Sequence, residues 1–173
     1  MRRGLKSITL AVFAVAFLVG GSLPAQAASE GVNCNTYASG AYSIKLCFVV
    51  YEDPDGQVGP ERAQVNFCNW YPSDPCEATQ LEFSSLRLRT ESCSVPAGNW
   101  STEVNRTDFQ FDPRNFSNTH TDWGGEESRD HWEQTFADFR IKWPNGTWSS
   151  WKSAQSFKWY DDRNQSPSCP NRY

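Results

Sequence analysis

The chain has 173 residues, of which 16 are basic and 20 acidic, so its formal net charge at pH 7 is −4. This acidic balance disfavours nucleic acid and anionic membrane surfaces as partners, because both attract basic proteins. The length suits one domain, and the eight Trp, eleven Phe and six Tyr residues favour β-structure.

The first 27 residues predict a secretory signal peptide. A basic start precedes an apolar run over residues 8–19, which is too short to span a bilayer comfortably, and Ala25 and Ala27 form a small-x-small cleavage signal. We therefore expect a single mature domain over residues 28–173, secreted and extracellular, with no membrane span after cleavage. Since residues 1–27 hold three basic residues and no acidic one, the mature charge is expected to be 13 − 20 = −7.

Residues 34–47 predict a β-hairpin that turns at Gly40 and Ala41. With Gly at the first central position of a two-residue turn, Cys34 and Cys47 face each other across the hairpin. A disulfide between them is expected, since all six cysteines lie in the exported part. The second arm should bury one face, which carries Tyr42, Ile44, Leu46, Phe48 and Val50.

Residues 62–68 predict a strand with one polar side, followed by a stapled loop. Cys68 and Cys76 bracket two prolines and an Asp, so a local disulfide is the simplest pairing. Trp70 and Tyr71 lie on this loop, where they are either displayed to solvent or folded back onto the sheet.

Residues 81–88 predict strand structure with an interruption. Leu81 and Phe83 keep one phase of the alternation, whereas Leu86 and Leu88 keep the opposite phase. We therefore expect a bulge or bend between Phe83 and Leu86.

The next part of the chain predicts two short strands and then a loop. Residues 100–104 form one strand and residues 109–111 the other. The periodicity is lost over residues 115–130, which predicts a long polar loop.

Residues 135–151 give the clearest structural signal. Alternation predicts a strand that buries Thr135, Ala137, Phe139, Ile141 and Trp143. Pro144, Asn145 and Gly146 then reverse the chain, so residues 148–151 are expected to return as its antiparallel partner. A last short strand is expected over residues 157–159, and a Cys93–Cys169 disulfide would tie the polar tail to the body.

Short strands at this spacing predict an all-β, disulfide-stabilised fold. The expected architecture is an antiparallel two-sheet β-sandwich of immunoglobulin or fibronectin type, with a small β-barrel as the alternative.

The segment W-S-S-W-K, residues 148–152, follows F-R-I-K at residues 139–142. It resembles the W-S-x-W-S signature of fibronectin-like cytokine-receptor modules, although Lys152 replaces the final Ser. In those modules strand arginines stack between the tryptophans, so the resemblance implies a cation–π stack at a sandwich edge. The residues of that stack are Arg140, Lys142, Trp148 and Trp151. The resemblance does not imply a cytokine ligand.

The two histidines, His120 and His131, lie among carboxylates that include Asp122 and Glu133. His120, Asp122 and His131 are candidates for a metal site, and the same region could supply an acid/base pair. Their spacing matches no defined motif, so a solvated acidic loop is the simpler interpretation. We predict no metal and no cofactor, and we assign no catalytic residue.

The favoured function is a non-enzymatic extracellular binding or interaction domain with a polysaccharide or protein ligand. Aromatic side chains supply large contact areas and dominate binding hot spots. The candidate ligand-binding residues are Trp70, Tyr71, Trp123, Trp148 and Trp151. Two alternatives are open: a small secreted hydrolase or metal-dependent enzyme that uses residues 120–133, and a structural part of a surface assembly.

Overall fold

The computed structural model describes residues 29–51, 61–68, 73–92, 99–123 and 131–161. The predicted signal peptide and the predicted Cys93–Cys169 pair lie outside these residues. The described part contains nine strands and one 3₁₀ turn, at Pro113–Asn115. The strands are β1 (Ser29–Ser39), β2 (Tyr42–Tyr51), β3 (Glu61–Phe67), β4 (Gln80–Ser92), β5 (Ser101–Phe111), β6 (Asn118–Trp123), β7 (His131–Lys142), β8 (Lys152–Gln155) and β9 (Trp159–Asp161).

The strands form two antiparallel sheets. The first sheet has the order β1-β2-β3-β6, and the second has the order β5-β4-β7, with β8 and β9 both paired to the far edge of β7. The predicted all-β, two-sheet sandwich is therefore confirmed. Within the described residues, no helix has the length and apolarity needed to cross a bilayer.

The connectivity of the sandwich differs from that of an immunoglobulin constant domain. There the first two strands lie in one sheet and the third crosses to the other. Here β3 stays beside β2, so β1, β2 and β3 form a meander, and the chain enters the second sheet at β4. It returns to the first sheet at β6 and crosses once more to reach β7.

The core lies between the sheets, and an aromatic cluster occupies its centre. Phe139 on β7 is fully buried, and its ring centroid lies 5.3 Å from Tyr37, 5.6 Å from Phe48 and 5.6 Å from Phe83. The predicted inward face of β7 is confirmed, since its exposure does not exceed 3 % at any of the five positions: Thr135, Ala137, Phe139, Ile141 and Trp143.

The predicted interruption of the 81–88 segment is a bulge inside β4. Phe83 pairs with Phe139, whereas Ser85 pairs with Asp138, so the register against β7 shifts by one residue between them. The extra residue reverses the phase of the strand, because successive side chains point to opposite faces. Phe83 and Leu86 are consequently both fully buried.

The two predicted disulfides within the described residues are present. Cys34 pairs with Cys47 in the predicted hairpin register, and Gly40 takes the left-handed turn conformation with φ +60°. The second disulfide joins Cys68 to Cys76. The chain then resumes pairing with β2, since the amide of Glu77 donates to the carbonyl of Ser43 at 2.9 Å. Residues 75–77 thus continue the line of β3 along β2, with an antiparallel bridge between Ile44 and Cys76.

The prediction of a long loop over residues 115–130 is wrong in its first half. The 3₁₀ turn leads directly into β6, which pairs with β3. The inward residues of β6 include Thr119 and Thr121, which are 7 % and 8 % exposed. Because threonine is polar, the inward residues do not differ in polarity from their outward neighbours. The sequence therefore shows no alternation that would predict this strand. Residues 124–130 lie outside the described residues.

The two short strands predicted over residues 100–111 form one strand, β5. Asp108 has φ +52° within it, and this left-handed residue disturbs the alternation on which the prediction depended.

The returning arm of the 135–151 hairpin is also different from the prediction. Residues 148–151 contribute only a single bridge, between Lys142 and Trp148, and β8 begins at Lys152. The amide of Ile141 donates to the side-chain Oγ of Ser149 at 3.0 Å, where a regular ladder would use a backbone carbonyl. The last strand that the structure describes is β9, at residues 159–161, and Phe157 lies before it with 63 % exposure.

We expect Phe139→Ala to lower the free energy of unfolding by about 3–5 kcal/mol, because it removes a ring that contacts both sheets and leaves a cavity. Urea unfolding followed by tryptophan fluorescence measures the change. Phe157→Ala is the matched control, and its effect should be below about 0.5 kcal/mol. Equal losses in the two variants would contradict the assigned core.

We also expect stability to fall as pH rises from about 10 to about 12. Burial raises the pKa of Tyr37 to about 12 from its usual value of 10.0. In this window the unfolded chain has lost the phenolic proton and the folded chain retains it, so folding is opposed as pH increases. Urea unfolding between pH 9 and 11 should show this decline reduced in Tyr37→Phe. An unchanged decline in that variant would assign the effect to other groups.

Candidate functional sites

Arg140 brings together two of the tryptophans that the sequence singles out. Its guanidinium lies 4.5 Å from the ring centroid of Trp148 and 5.0 Å from that of Trp151. Glu82 on β4 holds the same guanidinium through contacts of 2.8 and 2.9 Å to one carboxylate oxygen. Lys142 adds a contact of 5.6 Å to Trp148. We call these residues the Arg140 stack.

The remaining predicted ligand-binding aromatics are Trp70, Tyr71 and Trp123. Trp123 ends β6 in the first sheet, whereas the Arg140 stack belongs to the second sheet. Trp70 and Tyr71 lie outside the described residues. Trp148 is half-buried and Trp151 is 49 % exposed. The structure therefore places two of the five candidates together.

A second set of cations and rings lies on the same face of the second sheet. Arg87 lies 4.4 Å from the ring centroid of Phe136, and Arg89 lies between Phe136 and Trp100 at 5.4 and 5.6 Å. Lys158 contacts Trp100 at 4.6 Å. These aromatic groups are thus engaged by cations of the same chain, which favours a structural contribution from this face.

A cleft of about 310 Å³ opens where the edge of the second sheet meets the edge of the first. We call it the edge cleft. It lies between β5, the 3₁₀ turn and the start of β6, and its lining combines two phenylalanines with planar polar side chains. The lining residues are Arg106, Gln110, Phe111, Phe116, Asn118, Thr119 and His120.

Arg106 fixes the relation between the two edges of the cleft. Its guanidinium lies 4.0 Å from the ring centroid of Phe109 on its own strand. Across the gap, its Nη1 donates to Oγ1 of Thr119 at 3.0 Å and to the carbonyl of His120 at 3.3 Å. Stacking on one sheet and donation to the other hold this cation in a defined orientation.

The 3₁₀ turn presents Phe116 at the mouth of the cleft. Asp112 caps the turn by accepting from the amide of Arg114 at 2.9 Å, and its carboxylate also pairs with the Arg114 guanidinium. The side-chain hydrogen bond from Arg114 is the main cause that lowers the pKa of Asp112, so the cap stays ionised at neutral pH. Phe116 is 54 % exposed and meets the ring of Phe111 edge-on at 5.7 Å.

The interior also contains a polar group of three side chains, Glu61, His131 and Glu133. Each is at most 2 % exposed, and the His131 Nε2 lies 2.8 Å from a carboxylate oxygen of Glu133. The possible ligand atoms of all three lie within 4.8 Å of one another. We call this the buried triad. An imidazole and two carboxylates could hold a metal ion or share a proton.

The predicted metal candidates separate in the structure. His120 lies on β6, 3.5 Å from Oδ1 of Asp122, and both side chains are well exposed. His131 faces the interior with Glu133, and Glu61 joins them from β3. Of the residues that the structure describes, these three form the group whose possible ligand atoms lie close enough together to share one metal ion. Sequence reasoning missed Glu61, although its phase with the inward Ala63 and Val65 could have indicated it.

Comparisons with protein-family models, with curated proteins and with solved structures found no match for this chain.

We expect the Arg140 stack to stabilise the fold through coupled contacts. A double-mutant cycle of Arg140→Ala and Trp151→Ala should give a coupling free energy of about 0.5–1 kcal/mol, since cation–π contacts at exposed sites have this size. Arg114→Ala combined with Trp151→Ala is the control, because Arg114 pairs with Asp112 at the 3₁₀ turn. Additive effects in the Arg140 cycle would contradict the stack.

Proposed function

We propose that this protein is a non-enzymatic extracellular binding domain and that its ligand is a neutral carbohydrate bound in the edge cleft. The observation that carries the proposal is the composition of the cleft, in which exposed Phe116 lies beside guanidinium, amide and imidazole groups. The disulfides are compatible with an extracellular protein.

The size of the cleft suits a small ligand or one unit of a polymer. Small-molecule sites commonly have volumes of about 300–1,000 Å³, and the edge cleft lies at the lower end with about 310 Å³. Because the cleft is open at an edge of the sandwich, a polysaccharide could place one sugar unit in the cleft while the rest of its chain extends beyond the cleft. This geometry favours one or two sugar rings over an extended protein surface.

The polar groups of the cleft match the hydroxyl groups of a sugar. Each hydroxyl is both a donor and an acceptor, and an amide side chain offers both functions. Oε1 of Gln110 already accepts from Gln80 at 2.9 Å, which orients this amide and leaves its NH₂ group with donor capacity. Asn118 supplies a second amide, and Arg106 is held by the contacts described above.

The aromatic part of the cleft offers an apolar surface for the C–H face of a sugar ring. Phe116 contacts Phe111, and Phe111 stacks on the buried Phe67 at 5.1 Å. The exposed ring is thereby connected to the core, so little conformational freedom is lost when a ligand packs against it.

A sugar site at the tryptophans and an enzymatic function both have less support. The rings of Trp148 and Trp151 are contacted by Arg140, so a flat sugar would compete with this cation. An enzyme that uses His131 and Glu133 needs substrate to reach them, and both side chains are 1 % exposed.

We expect retention on insoluble glucan, chitin or a cell-wall polysaccharide, with affinity reduced at least about tenfold in Phe116→Ala, since loss of a hot-spot contact exceeds about 1.4 kcal/mol. Pull-down followed by calorimetry with a soluble oligosaccharide measures the change. Phe157→Ala is the matched control, because it removes another exposed ring outside the cleft. Circular dichroism should show that both variants fold. Absence of retention on every polysaccharide, or equal loss in both variants, would contradict the proposal.

A further inference from the structure

The buried triad joins the two sheets at one end of the sandwich. Glu61 is the first residue of β3 in the first sheet, whereas His131 and Glu133 begin β7 in the second. Opposite Glu61, β6 ends at Trp123, while the edge cleft lies at the start of the same strand. The triad and the cleft are therefore separate features.

The triad is polar, whereas the neighbouring inward positions of β3 are apolar. The inward positions that follow on β3 are Ala63, Val65 and Phe67, which are at most 1 % exposed. Burial of ionisable groups opposes the charged form unless compensating charge or hydrogen bonds are supplied. Two carboxylates next to one imidazole therefore create a site where a cation is favoured.

We propose that the buried triad binds one divalent transition-metal ion of the Zn²⁺ class. An imidazole nitrogen with two carboxylate oxygens suits Zn²⁺ and its neighbours, whereas Mg²⁺ and Ca²⁺ prefer oxygen ligands alone. Bonds of about 2.0–2.2 Å place donors around one Zn²⁺ roughly 3–4 Å apart. Since the donor atoms already lie within 4.8 Å of one another, small side-chain rotations complete the site.

The ion has a structural role in this proposal. With each ligand side chain at most 2 % exposed, a bound ion is shielded from substrates, although three protein ligands leave a coordination position for water. The ion links a ligand from the first sheet to two ligands from the second. Because it binds only the folded arrangement, it stabilises the fold by mass action.

The test begins with the purified wild-type protein, treated with EDTA and dialysed against metal-free buffer. We expect it to take up one Zn²⁺ per chain by elemental analysis and to unfold at a higher temperature when Zn²⁺ is present. Replacement by Co²⁺ should give visible absorption typical of four or five ligands with nitrogen among them.

The two histidines of the chain provide a matched pair of variants. His131→Asn should weaken Zn²⁺ binding at least about tenfold, whereas His120→Asn should bind as wild type does. Glu133→Gln keeps the shape of the side chain and should also weaken binding, which preserves the test if His131→Asn does not fold. The proposal would be overturned if the wild-type protein took up no Zn²⁺ or showed no thermal shift. Loss of Zn²⁺ binding in His120→Asn would also overturn it. Sugar retention in the Phe116 variant is measured separately, so the two proposals can fail independently.

Discussion

The inward face of β7 is the constraint on which the rest of the structure depends. Phe139 contacts Tyr37 and Phe48 from the first sheet and Phe83 from the second, so one ring sets the spacing of both layers. Its strand is paired with β4 on one side and with β8 and β9 on the other. The hydroxyl of Thr135 also donates to the carbonyl of Val49 across the interior. The position of β7 places Arg140 on its outward face. It also places His131 and Glu133, at the start of the strand, beside Glu61 of β3.

Both candidate sites arise where the two layers meet, and neither is formed by one sheet alone. The edge cleft needs β5 from the second sheet and β6 from the first, with Arg106 spanning the gap. The buried triad needs β3 and β7. The Arg140 stack, by contrast, lies on one sheet, and its cation is also paired to Glu82. Because Arg140 already contacts the rings of Trp148 and Trp151, we propose recognition at the edge cleft instead.

The sequence predicts those features that depend on neighbouring residues. The register of Cys34 and Cys47, the bulge after Phe83 and the inward face of β7 all follow from turn chemistry and period-two alternation. Alternation does not predict β6, because its inward residues include Thr119 and Thr121, whose polarity matches that of their outward neighbours. Likewise, nothing local brings Phe116 to Arg106 or Glu61 to His131. The proximity of these residues depends on the order of strands in the sheets, which alternation does not specify.

The most direct test of the account is a titration of ¹⁵N-labelled protein with a soluble oligosaccharide, followed by amide chemical shifts. If the edge cleft binds the sugar, the largest changes occur at Arg106, Phe111, Phe116 and Asn118, while residues 148–151 change little. Changes centred on Trp148 and Trp151, with the cleft unaffected, would contradict the account.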